Sequence, residues 1–61
     1  MIDHLPQNPE MLVSVINRLL RDGEFESLED LCSYYDRTEE ELRQLLLRNG
    51  YEYMEQQKQF R

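Results

Sequence analysis

A mainly α fold is predicted for this chain: a three-helix bundle with a helix-turn-helix core and a short C-terminal β-hairpin, a miniature winged-helix-like domain spanning 1–61. Three observations predict it. Leucine-rich stripes at helical spacing recur three times between Met11 and Leu46. Each is preceded by an N-capping residue, and the first and third are followed by glycine. After Gly50 the period changes from helical to alternating, with Tyr51 and Tyr53 two apart.

The chain begins with a lead-in, Met1 to Gln7, held extended by Pro6. Asn8-Pro9-Glu10 then starts the first helix: Asn8 caps, Pro9 fits the first helical position, and Glu10 complements the helix dipole. Met11, Leu12, Val15, Ile16, Leu19 and Leu20 form its apolar stripe, covering roughly half the circumference at about 100° per residue. A face that wide marks helix 1 as the central packing element. Arg18 and Arg21 suit its C-terminal end, and Gly23 supplies the left-handed cap. Ser14, Asn17 and Arg21 share its polar face. Solvation accounts for them most simply; Asn17 and Arg21 could instead hydrogen-bond the Gly23–Ser27 connection or the C-terminal segment.

Glu24-Phe25-Glu26 is a loop or a single bridge, and the natural third strand for a hairpin that is marginal alone. Ser27-Leu28-Glu29-Asp30 opens helix 2 with a capping-box-like pattern, and Leu28, Leu31, Cys32 and Tyr35 share its inner face. Asp36-Arg37 forms the turn, aspartate tolerating the left-handed conformation. Thr38-Glu39-Glu40-Glu41 is a full capping box for helix 3. Leu42, Leu45, Leu46 and Asn49 lie on its stripe, and Gly50 ends it. Tyr51-Glu52-Tyr53 and the return run ending in Gln59-Phe60-Arg61 form the hairpin; a frayed tail is the alternative, which the aromatic residues oppose.

Function is less legible. One cysteine excludes an internal disulfide, and His4 with Cys32 lacks zinc-ligand spacing. No apolar run approaches the roughly 20 residues of a membrane span, and the first residues lack a signal peptide's character, so a cytoplasmic protein is expected. Cys32 has no neighbouring base to make it a nucleophile, and the carboxylates form no catalytic constellation, so no enzyme, cofactor, metal or small-molecule substrate is expected.

As a DNA reader, helix 3 would turn Glu40, Arg43, Gln44 and Leu47 outward. Between Ser27 and Gly50, however, three arginines face six carboxylates, and the whole chain carries −6. Phosphate neutralisation supplies non-specific DNA affinity, and this surface lacks the charge for it. Glu39 to Glu41 are explained by the helix dipole alone. Leu47 is the apolar residue on that outward face, and with Val13 or the tyrosines it could form a contact patch. Tyr34, Tyr35, Tyr51 and Tyr53 lack the basic neighbours of a base-stacking platform and are expected to pack at the core and rim. A protein partner bound through Glu40, Arg43, Gln44 and Leu47 is therefore expected, or self-association through the broad apolar face of helix 1 and the hairpin edge, with nucleic-acid binding as the alternative.

The run Leu5-Pro6, Asn8-Pro9, Met11-Leu12, Asn17, Leu20-Arg21-Asp22, Ser27-Leu28 and Leu31-Cys32, with the ending Gly50-Tyr51, Tyr53 and Gln59-Phe60, resembles the domain of unknown function 4250 family of short bacterial proteins. The resemblance covers essentially the whole chain. It implies a small bacterial protein and carries over no functional residues. The chain departs from the family pattern at Lys58, where asparagine is expected, and at Met54, where an acidic or turn-forming residue is expected. A looser hairpin turn follows from those departures.

Overall fold

The computed structural model describes residues 4–61, so the first three lead-in positions lie outside the described residues. Along the chain come α1 (Pro9–Arg21), α2 (Leu28–Tyr34), α3 (Glu39–Arg48), β1 (Tyr53–Met54) and β2 (Gln59–Phe60). Each helix starts where a side-chain oxygen satisfies otherwise orphaned amides. Asn8 accepts from the N–H groups of Glu10 and Met11, Ser27 from Asp30, and Thr38 from Glu41. The reciprocal arm of the box at Thr38 is replaced: the Glu41 carboxylate accepts instead from Arg37 Nε and Nη2, at 3.0 and 2.9 Å.

All three helices end in one device, the Schellman motif. The N–H of Glu24 donates to Leu19, that of Arg37 to Cys32 and that of Tyr51 to Leu46, while Gly23, Asp36 and Gly50 donate to Leu20, Ser33 and Leu47. The residue after each C-cap has positive φ, 81° at Gly23, 56° at Asp36 and 90° at Gly50. Asp36 thus performs between α2 and α3 the job that glycine performs at the other two ends.

Leu12, Ile16, Leu28, Leu31, Leu42 and Leu46 are fully buried, and Val13, Leu19, Leu20, Cys32 and Phe60 complete the core. The buried face of α1 is rotated from the expected stripe. Met11 is 59% exposed and Val15 half-buried, whereas Val13 is only 6% exposed. On a wheel centred on Ile16, Val13 and Asn17 lie at about +60° and +100°, and Met11 at about −140°. The hairpin packs on α1 through β2, and Asn17 binds β2. That contact draws the Val13–Asn17 side inward and leaves Met11 in solvent. On α3, Asn49 is likewise exposed rather than on the buried stripe, its side chain donating to the Leu45 carbonyl at 2.8 Å.

The hairpin pairs Tyr53 with Phe60 and Met54 with Gln59, antiparallel. The Tyr51 N–H is taken by the α3 cap, so pairing starts later than the Tyr-x-Tyr pattern suggests. The turn is closed by bonds from the N–H of Gln57 to Met54 and of Lys58 to Glu55, with Lys58 left-handed at φ 53°. The expected third strand at Glu24–Glu26 is absent, and the sheet has two strands. Two contacts explain this. Phe25 turns to Tyr34 and Tyr35, with ring centroids 5.4 and 6.2 Å away. The outer edge of β2 is closed instead by Asn17, which donates to the Phe60 carbonyl at 3.0 Å and accepts from the Phe60 N–H at 2.7 Å. One side-chain amide does here what a third backbone would do.

Candidate functional site

The outer face of α3 carries Glu40, Gln44 and Leu47 at i, i+4 and i+7, in line along the helix. All three are exposed, with Leu47 at 60%. Gln44 Nε2 donates to Glu40 Oε1 at 3.3 Å, an i, i+4 pair. The sequence places these three correctly.

Arg43, the fourth candidate, does not project into solvent. It is half-buried, with Nη2 2.7 Å from Glu39 Oε2 and 3.2 Å from Glu55 Oε1. Its guanidinium carbon sits 4.9 Å from the centroid of the Tyr53 ring, a cation–π contact. Arg43 therefore ties α3 to the hairpin. Burial acts to lower its pKa, but the hydrogen bond that Arg43 donates to Glu55 and the charge of Glu39 outweigh burial and raise it. Burial pushes the Tyr53 hydroxyl up in turn, against the lowering effect of Arg43. Both groups are held in their ordinary charge states at neutral pH.

Beside this link runs a shallow groove of about 210 Å³ lined by Arg43, Leu47, Glu52 and Tyr53. Leu47 thus shares a groove with one of the tyrosines and not with Val13, which the core has absorbed. Glu52 lines the groove with Leu47, Glu55 lies further along the hairpin and Glu40 two turns up the helix, all three exposed. In the first turn of α3, Glu39 is paired with Arg43 and Glu41 with Arg37, while Glu40 accepts from the neutral Gln44. The surface can offer an apolar contact edged by charged side chains. Of the other lining residues, Tyr53 was named from sequence only among the tyrosines that could join Leu47, and Glu52 was not named as a binding residue at all. The only signal for them was the alternating pattern that marked the strand, since their approach to Leu47 depends on where the hairpin docks.

Several aromatic rings pack on one another. Tyr34, 61% exposed, lies edge-on to Tyr35 with centroids 4.9 Å apart and packs on Phe25 at 5.4 Å. Tyr53 packs on Phe60 at 4.9 Å. Cys32 is buried, and burial first, then the charge of Glu39, pushes its thiol up to about 11. Such a thiol is protonated and shielded at neutral pH. Among the described residues, no group of three or more histidine, cysteine, aspartate or glutamate side chains is placed to hold a metal ion, and no helix is long and apolar enough to cross a membrane.

Against known families, the model of a domain of unknown function (DUF4250) matches residues 6–60. The chain belongs to that family. Comparison with curated proteins and with solved structures finds no match.

Proposed function

We propose that this DUF4250 chain is a small cytoplasmic module that binds another protein, without catalysis, through the outer face of α3 and the adjoining hairpin. The observation that carries the reading is Leu47: a large aliphatic side chain 60% exposed in a groove with Tyr53, edged by the charged Glu52 and Arg43. An apolar centre with a charged surround is the layout of a protein contact site. The net charge of −6 opposes a nucleic-acid backbone, because phosphates gain affinity from cations and the one that lines the groove, Arg43, is engaged by Glu39 and Glu55. The helix-turn-helix resemblance of α2 and α3 is then a matter of scaffold geometry.

Affinity capture with immobilised wild-type chain and a Leu47→Lys variant tests the reading. Lysine is a good helix former and suits the last turn, so circular dichroism should show an unchanged fold. A protein retained by the wild type and lost by the variant supports the proposal. Equal retention by both, or chemical-shift changes along Glu40–Leu47 on adding a mixed-sequence DNA duplex at low salt, would overturn it.

A further inference from the structure

We infer that the outer edge of β1 accepts one extended, basic peptide segment as a third strand, laid in the groove beside Leu47; this rests on the protein-binding reading of that face. The two edges of the hairpin are treated differently. Glu52 and Arg61 exchange both backbone hydrogen bonds, each at 2.9 Å. Antiparallel ladders alternate, so Tyr53 and Phe60 form the non-hydrogen-bonded pair, with their N–H and C=O groups pointing away from each other. On the β2 side Asn17 takes both Phe60 groups. On the β1 side the Tyr53 groups take no backbone or side-chain partner among the described residues, and open space lies beside them. Tyr51 cannot extend the edge with its N–H, which is bonded to Leu46, so a docking strand registers on Tyr53.

Side chains choose the occupant. A strand paired to Tyr53 runs along the β1 edge, where Leu47 offers an apolar contact and Glu52 and Glu55 present negative charge. An alternating segment with lysine or arginine on one face and aliphatic residues on the other matches both features. A second copy does not. Its approach would bring together two acidic chains that each carry −6.

The test uses capped peptides about eight residues long, a typical strand length. One alternates lysine and valine, a second is the same peptide N-methylated at every other residue, and a third alternates glutamate and valine. With the full chain at low salt, the lysine–valine peptide is expected to slow exchange of the Tyr53 amide about tenfold and to shift Tyr53 and Leu47. N-methylation, which removes the strand's donors, and Leu47→Lys should each weaken binding about tenfold, and the glutamate peptide should not bind. Equal affinity of the N-methylated peptide would reduce the effect to charge attraction and overturn strand addition. Protection of Tyr53 that grows with protein concentration alone would assign the edge to a second copy. If a captured protein depends on Leu47 while the peptide leaves Tyr53 unprotected, strand addition fails and the protein-binding reading stands; if neither occurs, both fail.

Discussion

Asn17 and Phe60, 43 residues apart, exchange two hydrogen bonds, side-chain amide to backbone, at 3.0 and 2.7 Å. Magnitudes separate this contact from the burial beside it. Burying the Phe60 side chain contributes roughly 1.5–3 kcal/mol, whereas a hydrogen bond contributes about 1 kcal/mol net. Burial thus holds the hairpin to α1, and Asn17 fixes which backbone position sits there. Removing Asn17 is nevertheless costly, because it leaves half-buried backbone groups without partners.

Asn17→Ala is accordingly expected to destabilise the chain by about 1–3 kcal/mol. Asn17→Asp should fall between wild type and alanine: it still accepts from the Phe60 N–H but cannot donate to the Phe60 carbonyl. Urea unfolding measures the loss, and hydrogen exchange locates it. An unchanged midpoint, or faster exchange spread evenly over the chain, would show that the clamp does not hold the hairpin.

Lys58 occupies a left-handed position, φ 53°, at which asparagine is more comfortable. Lys58→Asn forfeits the exposed bond from Lys58 Nζ to the Glu26 carbonyl. Relief of backbone strain, about 0.5–1 kcal/mol, exceeds the loss of one solvent-exposed bond. A rise in Tm of roughly 2–4 °C is expected for a domain of this size. A lower Tm would assign the greater weight to the lysine contact.

Gly50 and Asp36 hold equivalent positions in two Schellman caps and should respond with opposite signs. A Cβ at Gly50 meets nothing within 4 Å, so Gly50→Ala carries only the cost of φ 90°, about 1–2 kcal/mol. Asp36→Gly relieves a side chain at φ 56° and is expected to stabilise by roughly 0.5 kcal/mol. Thermal melts of the two single variants decide the point; the same sign for both would refute the equivalence.

Cys32 makes stability fall in alkali. Its folded pKa of about 11 lies above the ordinary 9.0, so the unfolded chain loses this proton first. The contribution is complete below about pH 9 and is lost as pH rises toward 11, by up to about 1.4 kcal/mol per pH unit. Cys32→Ala should start less stable but decline less between those limits. Parallel pH profiles would show that the thiolate is accommodated in the fold. In the native protein near neutral pH, thiol-specific reagents should label Cys32 slowly.

Much of the fold was legible because its determinants are local. Asn8, Ser27 and Thr38 bond amides two or three positions away, and Gly23, Asp36 and Gly50 close caps within their own turns. Such contacts are written into neighbouring residues and survive any tertiary arrangement. At the site, Glu40, Gln44 and Leu47 were legible for the same reason: one helix fixes their alignment. Arg43 was misplaced because its partners Glu55 and Tyr53 arrive from the hairpin, and no helical wheel contains them.

The sequence by itself therefore determined three capped helices, the left-handed turn at Asp36, a C-terminal hairpin, an acidic surface and Leu47 on its outer face. Tertiary structure decided the rest. Docking of β2 on α1 rotated the buried face toward Val13, exposed Met11, and recruited Asn17 to close an edge that Glu24–Glu26 was expected to pair. A helix's own sequence limits which residues can be buried. Which of them are buried depends on the direction from which the remaining elements approach, and that is set only when the chain closes on itself.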